Sequence, residues 1–247
     1  MSHVRDIDDI LRRWPYEPNS VSVRLVQAAD DRDVIQMRID MGLLQLETEG
    51  RPDGKRPQGA ETYFDYLLAA ALQRGDQFVL SETECAEADR EFVQFYHRRI
   101  CWLALREFRR AVQDADHTLA FMDFCLRHAP SEEWAVSHEQ YRPFVLFHRA
   151  QAAALGDLEE QGPEESIQQL NQGIEQLRDL FRKLGAEERF ADDQLVRQLV
   201  EMRESLRERF QVGKTLQERL ADAIAREQYE LAATIRDQIA RRTGGLR

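Results

Sequence analysis

The feature that most constrains this chain is a long stretch without helix breakers. Between Gly75 and Pro130 neither glycine nor proline occurs, and the 247 residues hold only 12 Gly and 7 Pro in all. A turn-rich β architecture needs such punctuation far more often, so the chain reads as mainly α. With 43% hydrophobic and 32% charged residues, its composition suits helices with one buried and one charged face, not a disordered tail. The length allows one large domain or two modest ones.

The first 58 residues depart from the helical pattern and read as a small mixed element. Asp6 to Trp14 can form a short amphipathic helix that Pro15 ends. Val21, Val23 and Leu25 then alternate with Ser22, Arg24 and Val26, and Ile35, Met37 and Ile39 alternate with Gln36, Arg38 and Asp40. Period two means strands with one buried face. Asp30 to Asp33 marks a turn between them, and the run Leu43 to Leu46 after Gly42 supplies a third strand. The expected result is a small antiparallel meander, followed by a Gly/Pro-rich linker from Gly50 to Gly59.

Residues 60–210 read as a helical bundle. Phe64, Leu67, Leu68 and Ala71 keep helical spacing up to a stop at Gly75. Ser81 and Glu84 form a capping box, with Leu80 and Cys85 as its hydrophobic staple, opening a long helix through Phe92, Phe95, Tyr96, Ile100 and Leu103. The segment Leu105 to Ala111, with Asp114 and Leu119, resembles the turn and second helix of a tetratricopeptide repeat: Phe108 is the aromatic at the turn and Ala111 the small residue that lets two helices approach. The glycine usual before that turn is absent. A looser pair runs over 141–155 and 163–184, opened by Gly162-Pro163. The resemblance implies a TPR-like body of two degenerate repeats, completed by helices at 60–75 and 190–210. In the last of these, Leu195, Leu199, Met202 and Leu206 form a narrow seam that fits either a helix packed on its own bundle or a coiled-coil contact with another copy.

After Gln211-Val212-Gly213-Lys214 a different pattern begins, spanning 214–242. Leu216, Leu220, Ala223 and Ile224 share one helical face, Ala232, Ile235 and Ile239 share another, and Glu227-Gln228 is the natural turn. Ala232 and Ala233 permit close approach of the two helices, and Arg236 and Asp237 flank them. The span Leu216 to Ile239 resembles the UVR (UvrB/UvrC) motif of bacterial proteins, found in the excision-nuclease subunits B and C, in Clp-family ATPases and in the activator of protein arginine kinase. The resemblance implies a helical hairpin that pairs with another UVR-type hairpin, a partner's or its own copy's in a homodimer. The implied contact residues are Leu216, Leu220, Ala223, Ile224, Tyr229, Ala232, Ile235 and Ile239, with Arg236 on the flank. Independently of the family, a lone hairpin of this size cannot bury its apolar area by itself, so its faces pack on the chain's own body or on a partner.

Several function classes are disfavoured. The formal charge is -11; residues 214–247 carry seven Lys/Arg against five Asp/Glu, +2, which leaves -13 on the rest. That balance suits a protein partner better than a phosphate backbone. The opening residues are charged from Arg5 and Asp6 onward, unlike a secretory leader, and no run approaches the ~20 apolar residues of a membrane span. Three cysteines, Cys85, Cys101 and Cys125, with no CxxC pair, suit a reducing cytoplasm. Phosphate-binding glycine motifs, nuclease or helicase motifs and zinc-binding cysteine pairs do not accompany the hairpin. His97/Cys101 and Cys125/His128 have half-site spacing, but helices joined near Leu105–Phe108 bring Cys125 opposite residue 89, so no metal or cofactor is expected. Trp102, Phe121, Phe124 and Trp134 read as core, while Tyr141, Phe144 and Phe147 can line a groove for a peptide. The reading is a non-enzymatic adaptor with a mobile docking hairpin. Its alternatives are an accessory factor of nucleotide excision repair or of Clp/arginine-kinase proteostasis, and an enzyme with a site in the helical body.

Overall fold

The computed structural model describes residues 6–244. They divide into two compact units at Ala152/Ala153, where composition had suggested boundaries near 58–60 and 210–214. The first unit opens with α1 (Asp8–Arg13) and a meander in the order β1 (Val23–Gln27), β2 (Asp33–Ile39), β3 (Gly42–Glu47), all antiparallel. The alternating residues pair across it: Val23 opposite Met37, Leu25 opposite Ile35, and Ile35 opposite Leu46. Ile35 and Leu46 are buried against Cys101, Trp102 and Ala111. Arg38, also buried, donates from Nε to the Trp14 carbonyl at 2.8 Å and from Nη1 to the Gly42 carbonyl at 2.8 Å, tying α1 to the β2–β3 turn.

Residues 50–59 are not the linker that their glycine and proline content suggests. Arg51 is 2% exposed; its Nη2 donates to Glu87 at 2.8 Å and its Nε lies 3.4 Å from the fully buried Glu91. Glu91 also accepts the N–H groups of Tyr63 at 2.7 Å and Phe64 at 3.1 Å, the first residues of α2 (Tyr63–Arg74). One carboxylate thus satisfies a helix N-terminus and a buried guanidinium together. Gly50, at φ 61, brings the backbone so close that a Cβ there would sit 3.2 Å from the Glu61 carbonyl oxygen. The glycines serve a packed turn.

Thr62 and Asp65 form a capping box for α2, and Gly75, at φ 71, ends it. The Ser81/Glu84 box opens α3 (Glu82–Ala104), which packs antiparallel on α4 (Phe108–His128). Between them Arg106 takes φ 62, the left-handed place for which the sequence has no glycine; its N–H reaches the Leu103 carbonyl and that of Glu107 the Trp102 carbonyl. The pair is pinned by Arg98, whose Nε and Nη2 donate to the two oxygens of Asp114 at 2.9 and 2.8 Å, and by Phe95 stacked on His117 at 3.8 Å. Phe64, Leu67, Phe78, Leu80, Phe121 and Phe124 fill the adjacent core. A short helix that sequence periodicity did not single out, α5 (Glu132–Glu139), is capped by Ser131. The division between units falls inside α6 (Arg142–Glu160).

In the second unit α7 (Pro163–Lys183) packs on α8 (Gln194–Phe210). Proline occupies the first turn of α7, and the Asp193 carboxylate accepts the N–H groups of Leu195 and Val196 at the start of α8. Within the α8 seam Leu199 and Leu206 are buried, Leu195 and Met202 half-buried, and Val196 joins them. Leu199 and Leu206 are thus covered within the chain itself. Two further helices, α9 (Leu216–Ala225) and α10 (Tyr229–Gly244), form the C-terminal hairpin.

Candidate functional site

The hairpin is built from its root outward. Thr215, wholly buried, caps α9: its hydroxyl accepts the Glu218 N–H at 3.3 Å and its own N–H donates to the Glu218 carboxylate at 2.7 Å. Glu218 is also bonded by Arg207 of α8 and by Asn171 of α7, and Asn171 in turn accepts from Arg203 at 2.9 Å. Burial alone would push the Glu218 carboxyl up, but the bonds from Thr215 and Arg207 outweigh it and hold it below the ordinary range. These bonds form a polar clasp between the hairpin root and α7 and α8.

The turn has the same construction as the one between α3 and α4. Glu227 takes φ 57, its N–H donates to the Ile224 carbonyl at 3.0 Å, and the Gln228 N–H donates to the Ala223 carbonyl at 2.8 Å. These paired bonds close the helix end and reverse the chain in three residues.

The nine residues named from the sequence divide into two sets. Leu216, Ala223, Ala232 and Ile235 are buried between the helices, and Leu220 and Ile239 pack on them half-buried. Ile224 is 54% and Tyr229 68% exposed, and Arg236, on the outer side, lies 3.8 Å from its neighbour Asp237. Leu231 is 45% exposed although it stands four residues before the buried Ile235, and Ala233 is exposed as well. The reason is angular: consecutive residues on a helix diverge by about 100°, so only one of Ala223/Ile224, and one of Leu231/Ala232, can face the partner helix. The smaller residue takes the inside in both pairs. The apolar residues left in water, Ile224, Tyr229 and Leu231, flank the turn.

The other candidates lie apart from the hairpin. Cys101 is fully buried, its thiol pushed up to about 12 by burial, and His97 is held below its usual range by burial. His128 Nδ1 is 3.0 Å from the Phe78 carbonyl oxygen, Cys125 packs in the core with Cys85, and His3 lies outside the described residues. Trp102, Phe121 and Phe124 are core residues. Tyr141 and Phe144 line a cavity between α3, α4, α5 and the start of α6, while Phe147 is buried elsewhere. No helix among the described residues is long and apolar enough to cross a membrane.

Comparison with known families matches residues 214–241 to the UvrB/uvrC motif, a span that contains the whole hairpin turn and both of its apolar faces. No curated protein and no solved structure matches the chain.

Proposed function

We propose that this chain, with a UvrB/uvrC-motif hairpin at its C-terminal end, is a non-catalytic adaptor that docks a partner's UVR-type hairpin, or that of a second copy of itself, through the outer surface at the hairpin turn. The observation that carries this reading is the division of the apolar residues. Six are spent closing the hairpin on itself, and Ile224, Tyr229 and Leu231 remain in water beside the turn. Fully burying such side chains is worth about 1.5–3 kcal/mol each, and these are already about half covered. Together they offer too little to overcome the cost of association alone, so docking also engages the charged flank. Arg219, Arg226, Glu227 and Glu230 are all exposed there, with both signs present. A mixed flank suits a protein surface and gives register and partner choice. The clasp at Thr215 and Glu218 means that whatever the hairpin holds is held to α7 and α8 as well.

The motif's occurrence suggests two settings, an accessory role in nucleotide excision repair or one in Clp/arginine-kinase proteostasis. In either, the overall charge of -11 favours a protein contact over direct binding of nucleic acid. The test is a pull-down read by mass spectrometry with the full chain, a truncation after Gly213 and the Ile224→Asp/Tyr229→Asp variant. The reading expects the same partners to be lost from both altered proteins. Recovery of an unchanged set by the truncated chain would contradict it.

A further inference from the structure

The first unit contains a cavity of about 810 Å³, a size ordinary for small-molecule sites. Phe92, Met122, Phe144 and Val145 give it an apolar lining, and Val93 and Tyr141, 54% and 60% exposed, stand at its mouth. Among the lining residues is Arg99, only 2% exposed. Its side-chain bonds go to neutral acceptors: Nη1 donates to the Thr118 hydroxyl at 3.1 Å and Nε to His148 Nδ1 at 3.4 Å. The nearby carboxylate, Asp114, is engaged on both oxygens by Arg98. The carboxylate in the lining, Asp89, is half exposed and sits 2.9 Å from His138 Nε2. A guanidinium buried without a bonded anion is a costly arrangement in a folded protein, and it is met here beside an apolar cavity.

We propose that this cavity binds a small carboxylate with an apolar body, an arylalkanoate or acyl chain, whose carboxylate bonds to Arg99 while its hydrocarbon lies against Phe92, Met122, Phe144 and Val145. A planar guanidinium matches a carboxylate geometrically, and a water-poor setting strengthens the bond. A dianion such as phosphate would find one buried arginine, with the Asp89 carboxylate elsewhere in the lining to oppose a second negative charge. Consistent with an uncompensated charge, burial and the Arg99 guanidinium hold His148 near 4, so its Nδ1 stays an acceptor and adds no second positive charge at neutral pH. The site stands independently of the hairpin reading.

The test uses the full chain and two ligands that differ only in charge, 4-phenylbutyrate and its amide, titrated by calorimetry. The acid is expected to bind at least ~10-fold more tightly, the scale of a charge-assisted bond. Arg99→Met is expected to abolish that preference while unfolding at the same or a higher temperature, because it removes a buried charge with no hydrogen-bonded counter-ion. Val93→Trp, at the exposed mouth, is expected to block both ligands with the circular dichroism unchanged. Equal binding of acid and amide, a preference that survives Arg99→Met, or no binding of either ligand would overturn the proposal. So would a hydrophobic peptide with a free C-terminus that binds where phenylbutyrate does not.

Discussion

Replacing Ile235 by alanine should open the hairpin without unfolding the rest of the chain. Ile235 is 1% exposed, the most deeply buried member of a group otherwise made of Leu216, Ala223 and Ala232. The substitution removes the equivalent of about three methylenes, ~2.4 kcal/mol in transfer terms, and the cavity raises this to roughly 2.5–4 kcal/mol. The hairpin interior is a separate cluster, so the loss should fall on local opening rather than on global stability. At about 1.4 kcal/mol per decade, the opening constant should rise roughly 60- to 700-fold. Amide hydrogen exchange reads this directly: α9 and α10 should exchange faster by that factor, while the amides of Trp102 and Phe121 keep their protection. A change below about tenfold in the hairpin, or equal release of α7 and α8, would show that its interior does not close as an independent unit.

Three further outcomes follow from single sites. Asp114→Ala should destabilise the chain by about 3–5 kcal/mol in urea denaturation, because it strands the buried Arg98; the Arg98→Met/Asp114→Leu pair should recover most of that loss. Glu227→Gly should stabilise the hairpin by about 0.5–1 kcal/mol, since only the left-handed strain at φ 57 is relieved, with slower exchange in α10 as the readout. His148 has a folded pKa depressed to about 4 from 6.5 by burial and by Arg99, so the unfolded chain binds the extra proton between those values. Stability should therefore fall as pH drops through that window, by up to about 3 kcal/mol at its lower end, and His148→Gln should flatten the slope of the urea midpoint between pH 6.5 and 5. Glu84 and Glu218, held below 4.5, weaken only at lower pH and leave this interval to histidine.

Much of the fold was legible because it rests on local rules. Alternation placed the meander, the Ser81/Glu84 box started α3, and the Leu105–Phe108 turn set a pairing register that Arg98/Asp114 and Phe95/His117 obey. The Thr62/Asp65 and Thr215/Glu218 boxes carry the same readable signal. What was not legible depends on contacts distant in sequence. Nothing in the order Gly-Arg-Pro-Asp-Gly shows that Arg51 is buried on Glu87 and Glu91, so a packed turn looked like a linker. Periodicity puts Ala223 and Ile224 on one helical face but does not say which of them turns inward, because that is set by the position of the second helix. That Arg99 bonds no carboxylate depends on Arg98 having taken Asp114, a choice between adjacent arginines that spacing does not make.

The account turns on which side chains a docked partner covers. Hydroxyl-radical footprinting of the full chain, alone and with the partner its hairpin recovers, reads this residue by residue. Tyr229, Leu231 and Ile224 should lose most of their reactivity in the complex, while Leu216 and Ile235 stay equally unreactive in both states. A complex that forms while Tyr229 and Leu231 remain as reactive as in the free protein would place the contact elsewhere and contradict docking through the hairpin's outer surface.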